Sequence, residues 1–392
     1  VLSSCRDLLN WDAEICMPRQ GVEHRGEQLA FLAGLAHDRA TDPRFGDLLS
    51  EVEASPLVEI DDSVESVNVR ELRRDFDRET KLPKRLIEEM ARVSAISSQT
   101  WSEARDRNDF PAFAPWLEKT FDLAREKGDA IGYSEARYDA LLDDYEPGLT
   151  TAQVSTLFAD LREGLVPLVE SLRDKPKPKG AQFLAVEFPL DRQRTFSERV
   201  AADLGFDTEG GRFDLGPHPF CSSVGPGDTR IALRYHTHNF AGGFLGVMHE
   251  TGHALYEQGL DPKHYGTPMG EAISLGIHES QSRMWENLVA RSNGFWMHYY
   301  PKLQETFADA LRDTSVSTFR GVINDATPGL IRVEADEVTY NLHIVIRFEL
   351  ERALLSGDLR AADLPGAWNE LYQRYLGLTP DTDRDGCMQD IH

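Results

Sequence analysis

The stretch Asn239-Phe240-Ala241-Gly242-Gly243-Phe244-Leu245-Gly246-Val247-Met248-His249-Glu250-Thr251-Gly252-His253 decides how this chain is read. It opens on a residue suited to capping a helix and runs through nine small or apolar positions. It then places His249 and His253 four residues apart, which on a helix is one turn along a single face. The apolar, glycine-containing approach suits a tightly packed central helix. Asn239 is the expected N-cap and Gly259 the expected stop just past the last turn.

Two imidazoles in that geometry can share one divalent cation. Glu250, beside them, offers a carboxylate that can take a proton from a water near the ion. This is the HExxH arrangement of zinc peptidases. Six of the 12 histidines fall between positions 236 and 278, so the imidazoles concentrate around the motif. A catalytic site of this kind needs a third protein ligand. The histidine extension HExxHxxGxxH fails, because Tyr256 and Gly259 stand where glycine and histidine are required. Glu271 and Glu279 remain. Glu279, in the polar cluster His278-Glu279-Ser280-Gln281, is the better choice, and Glu271, after Gly270, reads as a helix-start carboxylate.

Most of the chain outward from the motif reads as helix. Val154, Leu157, Phe158, Leu161, Leu165, Leu168 and Leu172 recur three or four apart, with Pro167 predicting a kink or a restart. Shorter stripes at Leu29, Leu32 and Leu35, and at Leu86, Ile87, Met90 and Val93, read as core. Lys175-Pro176-Lys177-Pro178-Lys179-Gly180 is an exposed connection, since its prolines block helix and its lysines favour water. The glycine-rich stretch from Gly205 to Tyr235 holds short β-like runs such as Arg230 to Tyr235 and reads as a small sheet within a helical body.

With 392 residues, 41% hydrophobic and 28% charged, the chain can bury a large core. The formal charge of −24 argues against nucleic acid as a partner. No apolar run is long enough for a membrane span, and the N-terminus lacks the order of a signal peptide. Cys5, Cys16, Cys221 and Cys387 are scattered and read as reduced thiols, which points to a cytoplasmic location. The chain lacks an initiator Met, so its natural start is expected further upstream.

The ordered motifs resemble the carboxypeptidase Taq family of metallocarboxypeptidases. His278-Glu279-Ser280-Gln281 follows the HExxH, and His218-Pro219-Phe220 matches HPF. Asp228-Thr229-Arg230-Ile231-Ala232 resembles DxRxT with alanine for the last threonine, and Ile331 to Asp336 matches IRxxAD. Gly386 to His392 matches GxxQDxH, and Trp11-Asp12 with Met17-Pro18 is similar to the family's opening. Further family sequence, tyrosines included, lies beyond GxxQDxHW, so the chain is expected to be truncated at both ends.

The resemblance implies a mainly α fold: one metallopeptidase domain over 1–392, with a helical part at 1–174, a linker at 175–180 and a catalytic part at 181–392. It implies a deep active-site cleft with the small sheet on one wall. It implies His249, His253 and Glu279 as ligands of one divalent ion per chain, zinc foremost and cobalt as the alternative, with Glu250 as general base. A bound zinc lowers the pKa of its water to roughly 7, and His343 is one candidate to aid the oxyanion.

A carboxypeptidase must recognise a free C-terminal carboxylate. Arg230 and Arg332 are the candidates, because a guanidinium matches a carboxylate through two parallel hydrogen bonds. A plain ion pair with Asp228 or Asp336 is the competing role for each. His218 is a candidate for lining the substrate groove. His278, Gln281 and Asp336 are candidates for bracing the ligands from behind, and Gln389, Asp390 and His392 for either bracing or packing. The expected partners are peptides with a free C-terminus and a second copy of the chain in a homodimer. The alternatives are a metallo-oligopeptidase cutting internally and a non-catalytic helical scaffold stabilised by a metal.

Overall fold

The computed structural model describes residues 1–173, 175–176, 178–216 and 218–390. His392 lies outside the described residues. The chain divides into two compact units, each assembled from two separated segments: Val1–Thr80 with Pro178–Ile323, and Lys81–Lys177 with Asn324–His392. The fold is mainly α with one small sheet.

The first unit holds the three-stranded sheet: β1 (Gly211–Leu215), β2 (Phe220–Gly225) and β3 (Asp228–Leu233), in the order β1-β3-β2. β1 runs parallel to β3 and β2 antiparallel to it. Pro226-Gly227 closes the β2–β3 hairpin, with Gly227 at φ +77, the conformation that glycine after proline supplies in a type II turn. β3 begins and ends two residues earlier than the β-like run Arg230 to Tyr235 suggests.

The motif helix, Phe240–Gly259, packs on this sheet. Asn239 Oδ1 accepts from Gly242 N at 2.9 Å, so the expected cap is in place; such caps contribute about 1 kcal/mol. Gly259 is the last helical residue rather than the residue beyond the end, and the chain leaves through extended Leu260. The helix is apolar nearly all round because it is buried on two sides. Val247 and Ala254 meet Ile231 and Leu233 of β3, together with Phe206 and Ala201. Phe240, Phe244 and Met248 enter an aromatic core with Phe188, Phe196, Phe295 and Trp296.

The second unit is built on five long helices: Lys84–Arg107, Phe110–Ile131, Thr151–Arg173, Tyr340–Ser356 and Leu364–Tyr375. Phe113, Leu117, Leu342, Val345, Ile346, Trp368 and Tyr372 form its main core. Helix Thr151–Arg173 runs through Pro167 without a restart. The buried side of that helix is also narrower than the leucine stripe implies: Leu157 and Leu168 are exposed, while Val154 and Val169 are buried.

Candidate active site

The three expected ligands come together within the first unit. His249 and His253 project from one face of the motif helix, and Glu279 comes from the following helix, Leu275–Arg283, whose N-cap Ser274 accepts from Ile277 N. Glu271 stands ahead of that cap, at the end of a 3-10 turn, and does not start the helix. His249 Nε2 lies 3.6 Å and His253 Nε2 3.2 Å from Glu279 Oε2. Four donors held tetrahedrally at about 2.1 Å from one ion would sit about 3.4 Å apart, so these separations fit a divalent cation. Among the described residues this is the one His/Cys/Asp/Glu group so arranged, with one ligand atom from each residue all within 4.8 Å of the others.

The two helices approach closely because of Gly252, the fourth residue of the motif. A Cβ there would lie 2.6 Å from Ser282 Cα and 2.8 Å from the Gln281 carbonyl oxygen, both backbone atoms. Glycine therefore sets the distance over which the imidazoles face Glu279.

Glu250 is buried, 6% exposed, and its Oε2 has no hydrogen-bond partner among the described residues. Burial pushes its pKa up to about 7, against the favourable charge of His249 and with help from Glu279 and Glu286. A carboxylate poised near neutrality can accept a proton and return it. Glu279 goes the other way: burial would raise its pKa, but the His253 hydrogen bond and the charges of His249 and Arg283 bring it to about 2. Burial lowers the pKa of His253. For His249 the nearby carboxylates, Glu286 foremost, outweigh burial and raise it.

Three supporting residues escape sequence reasoning. Glu286 accepts from His249 Nδ1 at 2.9 Å. Arg283 donates to Glu279 Oε1 at 3.0 Å and to Glu286 Oε2 at 2.9 Å. Glu257 lies 2.8 Å from His278 Nε2. Positions 279, 283 and 286 follow the i, i+4, i+7 pattern of one helix face; that spacing is the signal that could have found the first two. His278 stacks on His253 at 4.5 Å and 16°. Gln281 Nε2 donates to Ser280 Oγ at 3.4 Å.

Arg230, on β3, donates through Nε and Nη2 to both oxygens of Asp228 at 2.7 and 2.8 Å, and lies over the Trp11 ring. His218 is exposed in the connection between β1 and β2. Arg332 and Asp336 belong to the second unit. Arg332 pairs with Asp390 at 2.6 Å and with the Tyr340 hydroxyl at 2.9 Å, rather than with Asp336. Asp336 accepts from Val338 N, Thr339 N and Thr339 Oγ1, organising the turn into helix Tyr340–Ser356. Gln389 Oε1 accepts from Arg332 N, and Asp390 also takes Arg347, so the IRxxAD and GxxQDxH motifs meet here. His343 is fully buried, with Nδ1 2.9 Å from the Tyr372 hydroxyl. An imidazole so enclosed offers nothing to an oxyanion, which corrects the expectation placed on it.

The family model for the carboxypeptidase Taq (M32) metallopeptidases matches residues 1–392. The thermostable carboxypeptidase 1 of Thermus thermophilus is 46% identical over 401 aligned positions, covering 100% of this chain and 78% of that protein. Carboxypeptidase 1 of Bacillus subtilis is 37% identical, covering 98% of this chain and 76% of its own length. Among solved structures, the M32 carboxypeptidase of Deinococcus radiodurans R1 superposes with a TM-score of 0.94 at 39% identity, covering 100% of this chain and 78% of that one. A His-His-Glu cluster on an HExxH helix, in a chain matched end to end by that model, leads to one assignment: this chain belongs to the carboxypeptidase Taq (M32) family and is a metal-dependent carboxypeptidase.

Proposed function

We propose that this chain removes single C-terminal residues from peptides, with His249, His253 and Glu279 holding one divalent ion and Glu250 serving as general base. The observation that carries the reading is the convergence of three ligand atoms within 4.8 Å beside a buried carboxylate with an unpartnered oxygen. A divalent ion there would supply Lewis acidity toward the scissile carbonyl and toward a water.

The remaining chemistry belongs to the protein. Glu250 takes a proton from the attacking water through the carboxylate that burial has made basic, then delivers it to the leaving amine. Burial lowers the pKa of His253, which favours the neutral ring whose lone pair an ion needs. Arg230 is the substrate-carboxylate clamp best supported within this unit, because β3 packs on the motif helix. Its Nε and Nη2 engage Asp228, so a substrate carboxylate would bind end-on through Nη1 and share Nη2. Arg332 is the second clamp candidate, and His218 a candidate lining residue. Zinc as the native metal with cobalt as substitute, a homodimer and a cytoplasmic location belong to the same proposal.

The test is metal analysis paired with hydrolysis of one peptide in free and C-terminally amidated forms. One metal per chain and stepwise release from the free form alone is the expected result. Equal cleavage of both forms, at internal bonds, would overturn it in favour of an oligopeptidase.

A further inference from the structure

The two histidines of the motif are supported in different ways. His249 Nδ1 points back at Glu286 Oε2, 2.9 Å away, while its Nε2 faces Glu279. His253 Nδ1 is buried with no hydrogen-bond partner among the described residues, and its ring rests on His278 instead. Glu286 sits on a π-helical turn, Met284–Val289, directly after the helix that carries Glu279, and its side chain is 15% exposed. π turns inside helices recur at functional sites.

We propose that Glu286 and Arg283 form a positioning pair that fixes His249 and Glu279 for metal binding; the proposal rests on the metal-site reading above. A helical Arg–Glu pair could serve stability alone. Here, however, Arg283 bonds to a ligand through Nε and to Glu286 through Nη1. The same Glu286 oxygen also takes the nitrogen of His249 opposite the one that faces Glu279. A carboxylate accepting from Nδ1–H selects the tautomer that leaves the Nε2 lone pair free, and it holds the ring plane. One guanidinium thereby holds two of the three ligands. The third, His253, depends on the separate chain His278–Glu257.

The experiment compares wild type with Glu286→Gln, which keeps the shape and removes the charge. Zinc affinity is measured by competition with a chromophoric chelator. Ring N–H resonances of the zinc-loaded, 15N-histidine-labelled protein are recorded in parallel. The variant is expected to bind zinc about 10- to 100-fold more weakly. It should lose the slowly exchanging His249 Nδ1–H signal while the His253 ring signals stay in place. A merely structural role would lower the melting temperature without that selective loss. Wild-type zinc affinity with the His249 signal intact would overturn the proposal. A wild type that binds no zinc would overturn the metal-site reading and this proposal with it. If Glu286→Gln does not fold, Glu286→Asp, which withdraws the carboxylate by one methylene, carries the same expected and overturning results.

Discussion

Gly252→Ala adds one methyl group at a close approach between the helices that carry His253 and Glu279. The added Cβ would meet Ser282 Cα at 2.6 Å, the Gln281 carbonyl oxygen at 2.8 Å and Ser282 N at 3.0 Å. Carbon contacts relax to about 3.5–4.0 Å, so the helices must part by about 1 Å, and no flexible side chain is available to yield instead. Helix propensity favours alanine by up to about 1 kcal/mol, whereas overpacking a close interior contact costs about 1–3 kcal/mol. The net change in stability is therefore small, and activity is the more sensitive measure. His253 rides with Gly252, and Glu279 lies three residues before Ser282, so a separation of about 1 Å stretches the 3.2 Å spacing of His253 and Glu279. Metal sites tolerate about 0.2 Å in ligand distance, and a misplacement of about 1 Å costs about 100-fold in rate. The assay is kcat/KM on an unblocked peptide at several zinc concentrations, with melting followed separately. A variant that keeps zinc affinity and kcat/KM within about twofold of wild type would refute the view that this backbone contact sets the site.

Other perturbations separate the remaining roles. Glu250→Gln should retain the metal and lower kcat by about 100- to 10,000-fold; unchanged turnover in the metal-loaded variant would remove Glu250 from the chemistry. Arg230→Ala should raise KM for peptides with a free C-terminus while metal content stays constant, and an unmoved KM would return Arg230 to a plain partner of Asp228. His343 predicts a loss of stability in acid. Burial holds its pKa at about 3 against about 6.5 in an unfolded chain. Its neutral form thus favours the fold fully above about pH 6.5, and that contribution falls by about 1.4 kcal/mol per pH unit from there toward about pH 3. Urea unfolding of wild type and His343→Asn between about pH 7 and pH 5 checks this, and identical pH slopes would rule it out.

How much of this was legible depends on whether the deciding contacts are local. The motif helix was readable because its cap, its apolar faces and its histidine spacing are all local signals, and its start at Phe240 follows from Asn239 alone. That Glu279 would join the two histidines was readable by exclusion and by its polar setting. Glu286 was not: it looks like any solvated glutamate until the neighbouring helix brings His249 to it, although its spacing from Glu279 and Arg283 was available. Arg332 shows the opposite error. Asp336, four residues on, looks like a helical ion-pair partner, but the helix begins only at Tyr340 and Asp336 is occupied in the turn before it. The guanidinium instead takes Asp390, 58 residues away. The leucine stripe around Pro167 fails for a related reason: periodicity marks which positions can share a face, while the neighbouring helices decide how wide that face is. Gly252 joins the two kinds of information. Its presence inside a helix is a local anomaly costing about 1 kcal/mol, and only the backbone of Ser282 pressed against it explains why a larger residue does not fit. A glycine that interrupts a catalytic motif helix is therefore evidence of a close partner, and the partner to seek is the element that brings the remaining ligand.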